Sequence, residues 1–492
     1  MQKLNKIIIA AFIILLLIAS CFVACDNKKA EDNTDKNAAT SGTDSTGENT
    51  GEEENGQISL SDDLPDMDFG GYNFRVYIEN QESIEAVCAE TDTGDVVNDA
   101  VYKANRTVED RFNIKITPLL YGSLSKVKTS IMAADDSFDI VTGHDISMGS
   151  MSLENVFMNL YKVPHLNFSK PWWPQNTVES LTLMKDKMYI FSNHISFWWI
   201  DNTRVMFFNK NRLADLGYPM PYQDVFDGKW TFDKFLEMAK DTYIDQNGNG
   251  EKDEGDFFGF VKSDGEAYCY LESWGIQVTV KDKDDILKVN DRLPEIMPGV
   301  LDKLYELLFT SPGGYQTKSD YALPNNIFAA GNSLFLFKEL SNARQSFKDV
   351  TFDYGILPMP KIEGQKDYVA GCTDRPYAIP NNAPDIDRTG IIVEAMSAEG
   401  YKQVLPAYYE IALKVKYTHD DESVRVLDII TQSSVLDFWY IYGGNDNNMI
   451  WCLPTLLKNS KPTTDFASYY EKTEGKQQKR IEQVISAIES MD

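Results

Sequence analysis

The sequence predicts an α/β fold with more than one lobe. Strand-like and helix-like segments alternate between residues 72 and 142, which is the pattern of a largely parallel sheet covered by helices. The chain has 492 residues, a length typical of two or more structural units. Its hydrophobic fraction of 43% and aromatic fraction of 12% are those of a globular protein with a large core.

The first alternating unit begins with YNFRVYI at residues 72–78, whose aromatic and β-branched residues are typical of a strand. Apolar residues at helical spacing then predict a helix over residues 96–112, which leads into a second strand, NIKITPLLY. A helix near residues 124–134 and a short buried strand in FDIVTGHD complete the unit. The last strand ends in a polar loop.

A second series begins with RVMFFNKNRLADLGY at residues 204–218, which starts as a strand and turns helical at Lys210. Residues 229–243 have the pattern of an amphipathic helix with Thr231 as its N-cap. Short strands are predicted in NSLFLF, FDYGILPMP and YAIPNN. Helices are predicted over residues 404–417 and in KQQKRIEQVISAIE near the end of the sequence.

The N-terminus has the features of a lipoprotein signal peptide over residues 1–25. Lys3 and Lys6 precede an apolar run of about eighteen residues, near the lower limit for crossing a bilayer, and small residues lead to a cysteine. Both Cys21 and Cys25 fit the processing site. We expect Cys25 to carry the lipid, because polar sequence begins directly after it.

Residues 26–58 are almost entirely polar, with little to bury. Such a segment cannot offset its ordering entropy, so we expect a disordered tether. A lipidated cysteine followed by a tether holds a globular body close to a membrane. The sequence therefore predicts a protein anchored by lipid to the extracellular face of a bacterial cell membrane, in a Gram-positive organism.

The charge of the chain argues against a nucleic-acid partner. Asp and Glu outnumber Lys and Arg by 75 to 47, which gives a net charge of −28. A surface this acidic repels phosphate backbones. It also disfavours polyanionic ligands, unless a local basic pocket receives them.

The sequence contains no recognisable catalytic motif: GxSxG, HExxH, a Walker loop and GxGxxG are all absent. The two carboxylates of a glycosidase can come from anywhere in a chain, so paired acids are not excluded. The cysteines of the body form no CxxC pair and are predicted to be buried free thiols, with one disulfide as the alternative.

A run of oxygen-bearing side chains follows the predicted helix at residues 229–243. Four of them fall on alternate positions: Asp245, Asn247, Asn249 and Asp253. With Gly250 sixth in the run, this is the spacing of a calcium-binding loop, although position twelve is Asp256 and not Glu. The alternative is a solvated turn, since Asp, Asn and Gly favour turns in any case.

Tryptophans suggest a binding cleft. Flat aromatic faces suit the C–H faces of sugar rings, while polar side chains satisfy the hydroxyl groups. For any single tryptophan core packing is the simpler interpretation, and Trp230 at the start of a helix is expected in the core. We expect at least two of the set to line a cleft. The set is Trp172, Trp173, Trp198, Trp199, Trp230, Trp274, Trp439 and Trp451.

The chain resembles the extracellular solute-binding proteins of ABC importers, family 1, the carbohydrate-type group. The resemblance is carried by VMFFNKNRLADLGYPMPYQDVFDGKWTFDKFLEMAK at residues 205–240. FAAGNSLFLF, FDYGILPMPK and YAIPNNAPDIDRTGIIVEAM follow in the order and spacing of the family. Together these motifs cover about residues 66–492, although the chain has no clear transporter-contact signature.

The resemblance implies two α/β lobes of the periplasmic-binding-protein type, type II-like, joined by crossing hinge strands. Lobe one would comprise residues 66–200 and 377–430, and lobe two residues 204–370 and 435–492. It further implies a monomer without catalytic activity, with a carbohydrate ligand in the cleft and an ABC permease as membrane partner.

The resemblance also implies site residues. Asp145 follows a strand end, and Trp199, Asp201 and Asn202 precede the first crossing. The other expected ligand contacts are Tyr268 and Trp274 from lobe two, Asp374 and Arg375 at the second crossing, and Trp439 at the third. Sugar-binding members that carry a calcium loop imply a structural Ca²⁺ held by Asp245, Asn247, Asn249, the Glu251 carbonyl, Asp253 and Glu254.

Two other functions stay open at this stage. A calcium-containing surface glycosidase or lyase would use carboxylates that the sequence does not single out. A surface glycan-capture module would bind the same ligand without a permease. Catalytic turnover distinguishes the first from a transport protein, and neighbouring permease genes distinguish the second.

Overall fold

A computed structural model of the protein describes residues 60–491, except residues 121, 267, 319, 415–420 and 445–447. The predicted signal peptide, Cys25 and the tether lie outside the described residues. The sections below concern the unit Ser61–Asp492.

The strands are short, and the longest have seven residues. In chain order they are β1 Tyr72–Ile78, β2 Ile114–Leu120, β3 Ile140–Thr142, β4 Arg204–Asn209, β5 Tyr243–Ile244, β6 Phe257–Ser263, β7 Thr279–Lys281, β8 Leu287–Val289, β9 Gly314–Thr317, β10 Ser333–Glu339, β11 Tyr354–Leu357, β12 Ala370–Gly371, β13 Tyr377–Ala378 and β14 Ser434–Val435.

The α-helices alternate with these strands. In chain order they are α1 Ile84–Val87, α2 Val96–Phe112, α3 Leu124–Met132, α4 Asp145–Ser152, α5 Gln175–Leu181, α6 Trp198–Asp201, α7 Lys210–Asp215, α8 Tyr222–Phe226, α9 Phe232–Ala239, α10 Tyr268–Ser273, α11 Leu293–Tyr305, α12 Leu323–Ala329, α13 Asn342–Gln345, α14 Ile386–Glu399, α15 Leu405–Lys414, α16 Asp421–Gln432, α17 Phe438–Tyr442, α18 Cys452–Leu456 and α19 Phe466–Glu489.

The first lobe is built on a four-stranded sheet in the order β13-β3-β1-β2. β1 is parallel to β2 and β3, with Phe74 opposite Ile116, while β13 is antiparallel to β3. Helix α2 packs against β2 and α14. Its N-cap Asp95 accepts the backbone N–H groups of Val97 and Asn98. The predicted strand at residues 72–78 and helix at residues 96–112 are confirmed.

The second lobe has a mixed sheet in the order β11-β4-β10-β6-β5, with β9 also paired to β6. Aromatic rings fill the space between this sheet and α9: the Phe235 ring centroid lies 5.3 Å from those of Phe260 and Phe335. Trp230 is fully buried, as predicted. Thr231 caps α9 by accepting the Lys234 N–H at 3.4 Å.

Three chain segments cross side by side between the two sheets. Thr203 forms an antiparallel bridge with Cys372, and β12 pairs with β14 in parallel. The Cys372 N–H donates to the Val435 carbonyl at 2.9 Å, and the hydroxyl oxygens of Thr203 and Ser434 lie 3.1 Å apart. The predicted crossing strands are therefore present as one hydrogen-bonded group.

The last part of the chain alternates between the lobes more often than the sequence suggested. Helix α16, assigned to lobe one, packs against β11 and α8 of the second lobe. Helix α17, assigned to lobe two, packs against α4 of the first lobe. Helix α19 returns to the second lobe, where it packs against β8 and α11. The boundary near residue 430 is thus wrong, because the amphipathic pattern of a helix does not tell which sheet it covers.

The cysteines of the described chain, Cys88, Cys269, Cys372 and Cys452, are buried free thiols. Over the same part of the chain, no helix has both the length and the apolar character needed to cross a membrane.

A buried carboxylate organises the core of the first lobe. Glu394 on α14 is fully buried and accepts the indole N–H of Trp172 at 2.8 Å and that of Trp173 at 2.9 Å. The backbone N–H of Asn167 donates to the same carboxylate at 3.2 Å. Burial outweighs these hydrogen bonds and raises the pKa of Glu394 to about 7.

We predict that this carboxylate makes the protein less stable as the pH rises from about 5 to 8. The pKa of Glu394 is raised in the folded state, so in this pH range the folded state binds more protons at this group than the unfolded state does. The resulting stabilisation is lost as the pH rises through about 7. The effect should be about 1 to 3 kcal/mol. Urea unfolding at pH 5 and pH 8 measures it. Glu394→Gln should reduce the difference between the two pH values; an equal difference in the variant contradicts the assignment.

Candidate functional site

The ends of strands from both lobes meet at the crossing segments. Strand β3 of the first lobe runs into α4, which begins at Asp145. Strand β6 of the second lobe runs through a short turn, Asp264–Glu266, into α10, which begins at Tyr268. In open α/β sheets the carboxyl ends of strands are the usual place for ligands. Helix α17 follows the third crossing and packs against α4.

Two carboxyl groups come from the first-lobe side. Asp145 is 3% exposed, and its Oδ1 accepts the Ile146 N–H at 2.8 Å. Burial raises its pKa, although the Tyr440 hydroxyl donates to it. Asp374 accepts the Ser192 hydroxyl through Oδ2, while its Oδ1 is buried without a partner. Burial raises the pKa of Asp374 to about 6.

A third carboxyl group, Glu272, comes from α10 of the second lobe. It is 3% exposed, and neither of its carboxylate oxygens has a hydrogen-bond partner. It packs against the crossing strand at Gly371, where an added Cβ would lie 2.7 Å from the Glu272 Cβ. Only glycine allows this close approach. Burial and the nearby Asp437 raise the pKa of Glu272 well above its usual value.

Arg375 brings a positive charge to this cluster from the second crossing. The guanidinium carbon lies 5.0 Å from the ring centroid of Trp198, within the range of a cation–π interaction. The Arg375 Nε and the Trp198 Nε1 are both buried without a hydrogen-bond partner. Both groups are therefore free to donate to a ligand.

Three aromatic rings stand beside the carboxyl groups. The rings of Tyr268 and Tyr440 are parallel within 3°, with centroids 5.7 Å apart. The Trp451 centroid lies 4.6 Å from that of Tyr268. Tyr268 and Trp451 are partly exposed, so they offer apolar faces to a bound molecule.

A cavity of about 550 Å³ borders the cluster at the far end of α10 from Tyr268. Its walls come from α5 of the first lobe, from α10 and the β7–β8 hairpin of the second lobe, and from the crossing segments. The side chains that matter below are Glu179, Glu272, Lys281, Tyr368, Asp437 and Phe438.

Buried polar groups in proteins are almost always hydrogen-bonded, so unpaired ones need an explanation. Here they concentrate around the crossing segments and come from both lobes. They include the Trp198 and Trp199 indole nitrogens, the Ser263, Tyr270 and Ser273 hydroxyls, both oxygens of Glu272, Asp374 Oδ1 and Arg375 Nε. A ligand with many hydrogen-bonding groups would supply the missing partners.

Five of the predicted ligand residues lie in this region: Asp145, Trp199, Tyr268, Asp374 and Arg375. They were predicted from four separate stretches of sequence, and the fold places all of them beside the crossings. Their contact with a ligand stays a prediction.

Two predicted aromatic contacts belong to the core instead. Trp274 is 1% exposed and donates its indole N–H to the Pro360 carbonyl at 3.1 Å. Trp439 is fully buried and donates to Gln477 Oε1 at 2.9 Å. The prediction that Trp439 stacks on a ligand is therefore wrong for this structure, because neither face of its ring is open.

The predicted residues before the first crossing have structural partners. The Asp201 carboxylate pairs with Arg344 and accepts the Tyr408 hydroxyl. Asn202 donates to the Trp198 carbonyl at 2.9 Å. Trp199 is 3% exposed, although its indole N–H has no partner. These interactions hold the hinge side of the site in place.

Sequence reasoning missed Glu272 and Tyr440, and it named Trp198 and Trp451 only within the set of tryptophans of which at least two were expected to line a cleft. Trp198 adjoins the predicted Trp199, and the helical turn exposes the first of the pair instead of the second. Trp451 follows the mixed polar and apolar stretch NDNNMI, which does not tell whether the ring is enclosed. Glu272 is one acid among many, and only its unpaired burial singles it out.

The predicted calcium loop is closed by its own hydrogen bonds. The Asp245 carboxylate accepts the N–H groups of Gly248 at 2.7 Å and Gly250 at 3.0 Å. The side-chain amides of Asn247 and Asn249 donate to Asp253 at 2.9 and 2.6 Å. The side-chain oxygens of Asn247 and Asn249 accept the N–H groups of Asn249 at 3.0 Å and Glu251 at 2.7 Å, so both amides present nitrogen to the Asp253 carboxylate.

Other features of the loop limit the ligand set. Asp256, at position twelve, is fully buried and accepts the Tyr243 hydroxyl at 2.9 Å, so it is committed to the core. Glu251 and Glu254 are exposed. Within the described chain, no three His, Cys, Asp or Glu side chains are grouped closely enough to hold a metal. Calcium binding stays a prediction that depends on the amide oxygens.

The family model of the bacterial extracellular solute-binding proteins matches residues 92–397 of the chain. No curated protein matches it significantly.

Solved structures with the same fold cover most of the chain. UspC of M. tuberculosis is 13% identical with a TM-score of 0.54, covering 83% of this chain and 100% of that chain. A cyclo/maltodextrin-binding protein complexed with maltotetraose is 13% identical with a TM-score of 0.51, covering 85% and 96%. UgpB from Mycobacterium tuberculosis in complex with glycerophosphocholine is 15% identical with a TM-score of 0.50, covering 85% and 98%. At these identities the likeness concerns the fold alone, and it confirms the predicted two-lobe α/β fold.

Proposed function

Because the chain belongs to the family of bacterial extracellular solute-binding proteins, we propose that it captures a sugar or oligosaccharide between its lobes for an ABC permease. A solute-binding protein delivers its ligand unchanged, so the chain is not an enzyme. The observation that carries the proposal is the concentration of unpaired buried polar groups from both lobes at the crossing segments.

A saccharide suits this arrangement chemically. Its hydroxyl groups both donate and accept hydrogen bonds, which matches unpaired acceptors such as Glu272 and Asp374 and unpaired donors such as Arg375 and Trp198. Its C–H faces suit the partly exposed rings of Tyr268 and Trp451. Structures of the same fold hold maltotetraose in one case and glycerophosphocholine in another, so the fold does not select the ligand.

Ligand binding would couple to lobe closure through the crossing segments. A ligand that contacts both lobes binds the closed arrangement better than an open one and shifts the population toward it. The crossings are short enough for a hinge motion, since β12 and β14 have two residues each. The permease would then recognise the closed form of a monomer.

We predict that Trp198→Ala and Arg375→Ala each weaken binding by about 1 to 3 kcal/mol, the range for losing an aromatic contact or a charged hydrogen bond. Thermal-shift screening of glycans on the body from residue 60 identifies a ligand, and calorimetry measures its affinity. Arg292→Ala is the matched control, because Arg292 lies on the surface with 67% of its side chain exposed. Normal binding by both site variants would show that the ligand lies elsewhere.

The two rival functions are separated by activity. A surface glycosidase or lyase would release new chain ends from a glycan that the protein binds, whereas a solute-binding protein returns the glycan intact. A capture module without a permease would bind the ligand but support no uptake. Uptake of radiolabelled ligand by cells with and without the protein distinguishes that case.

We further propose that the loop at residues 245–256 holds a structural Ca²⁺, with Asp245, Asn247, Asn249, the Glu251 carbonyl, Asp253 and Glu254 as ligands. Alternating oxygen ligands suit a hard cation of this size, and Mg²⁺ demands a tighter octahedron. The Gly250 N–H donates to the Asp245 carboxylate and closes the loop, which supports the assignment.

We predict that chelation by EGTA lowers the melting temperature and that added Ca²⁺ restores it, because a ligand of the folded state stabilises by mass action. Asp245→Ala should remove the response to Ca²⁺. Asp215→Ala, in the same lobe and outside the loop, is the control. If chelator has no effect on the wild type, the loop is a turn and nothing more.

The anchor is also a proposal. Lipidation of Cys25 would hold the body at the extracellular face of the membrane, as two acyl chains suffice for stable anchoring where one does not. The Gram-positive origin rests on the same reasoning.

We predict that mass spectrometry of the native protein finds a diacylglyceryl group on Cys25 as the N-terminus. Cys25→Ser should release the protein from the membrane fraction, while Cys21→Ser should leave it bound. A lipid on Cys21 would show that Cys21, and not Cys25, is the lipidated residue. A mature form that keeps the apolar run would contradict processing of the signal peptide.

A further inference from the structure

The carboxyl groups around the crossing segments outnumber their counter-ions. Asp145, Glu272, Asp374 and Asp437 are all at least nine-tenths buried, with exposed fractions between 3% and 8%. They lie near enough to influence one another's ionisation. Asp145 raises the pKa of Asp374, and both Asp145 and Asp437 raise the pKa of Glu272. The cluster therefore holds four acids that come from both lobes and two of the crossings.

Few cations in the neighbourhood are free to balance these acids. Arg375 faces Asp145 and Asp374. Arg204 reaches the cluster from the first crossing; its Nη1 pairs with Glu339, while its buried Nε has no hydrogen-bond partner. His144 lies 3.2 Å from Asp145 with more than half of its side chain exposed.

The lysines of the second lobe are engaged elsewhere. Lys338 pairs with Glu266, and Lys262 donates to the Ser263 carbonyl and Gln316. In the cavity, the ammonium of Lys281 donates to the carbonyls of Glu179 and Thr182. None of these lysines donates to the oxygens of Glu272, which have no hydrogen-bond partner.

Hydrogen bonding alone does not resolve this imbalance. A hydroxyl group could donate to Glu272, but it brings no opposite charge, so the carboxyl group would stay in the neutral form that burial favours. An ammonium group supplies both the donors and the opposite charge. The cavity carries further acids, Glu179 and Asp367, beside the aromatic rings of Tyr368 and Phe438.

We propose that the ligand of this site carries an amino group, received by Glu272 and Asp437 where the cavity meets the carboxyl cluster, so that the substrate class is an amino sugar or an oligosaccharide containing one. The inference rests on the proposed function and narrows its ligand. The cavity of about 550 Å³ is within the size range of small-molecule sites.

Three disaccharides with the same linkage test the proposal: the glucosamine dimer, N,N′-diacetylchitobiose and cellobiose. They differ at carbon 2, where they carry an ammonium, an acetamide and a hydroxyl group. Calorimetry at pH 7 should show the glucosamine dimer binding at least about tenfold tighter than either neutral analogue. In buffers of different ionisation enthalpy, its binding should also release protons, as the carboxyl groups ionise against the ammonium.

The variant Glu272→Gln keeps the shape of the side chain and removes its charge. We expect it to lose at least about tenfold in affinity for the glucosamine dimer. Glu295→Gln, an exposed acid on α11 with 74% of its side chain accessible, makes the same charge change and should bind as the wild type does. Asp437→Asn replaces the first variant if that one does not fold.

Failure of this proposal is distinguishable from failure of the proposed function. Equal or tighter binding of cellobiose or the acetylated dimer overturns the amino-group assignment and leaves sugar capture standing. Binding of none of the three also overturns it, while sugar capture fails only if a wider glycan panel is empty too. Unchanged binding of the glucosamine dimer by both Glu272→Gln and Asp437→Asn would equally refute it.

Discussion

The hydrogen bonds among the three crossing segments are the constraint on which the architecture depends. Thr203, Cys372 and Val435 belong to parts of the chain that are far apart, yet one bridge and a few backbone hydrogen bonds hold them side by side. Because each segment leaves one sheet and enters the other, this group fixes which strand ends face each other. The site residues need no further device to bring them together.

The same group explains how so many carboxyl groups come to lie in one place. Asp374 is two residues beyond Cys372, Asp437 is two residues beyond β14, and Glu272 packs on Gly371 of β12. A chain selected for stability alone would place apolar residues there, since burying unpaired acids is costly. The unpaired acids lie where a ligand could supply their missing partners. Glu394, in the first lobe, differs from them because Trp172 and Trp173 donate hydrogen bonds to its carboxylate.

Local signals predicted the elements well and the site only in part. The strand at residues 72–78 and the cap at Thr231 depend on neighbours in sequence, so their patterns were sufficient. The fates of Trp439 and Trp451 were not predictable, because both occur in mixed aromatic and polar stretches. Only the packing of α19, whose Gln477 receives the Trp439 indole N–H, decides which ring is enclosed. The lobe predicted for helix α16 was wrong for the same reason, because its apolar face could cover either sheet.

The antiparallel pairing of β13 with β3 has a consequence for the order in which the chain can fold. Strands β1, β2 and β3 are complete once residue 142 has been synthesised, but Tyr377 and Ala378 cover the edge of β3. Until the ribosome reaches them, that edge is open to pairing with another chain. The sheet of the first lobe is therefore completed only after most of the second lobe has been made.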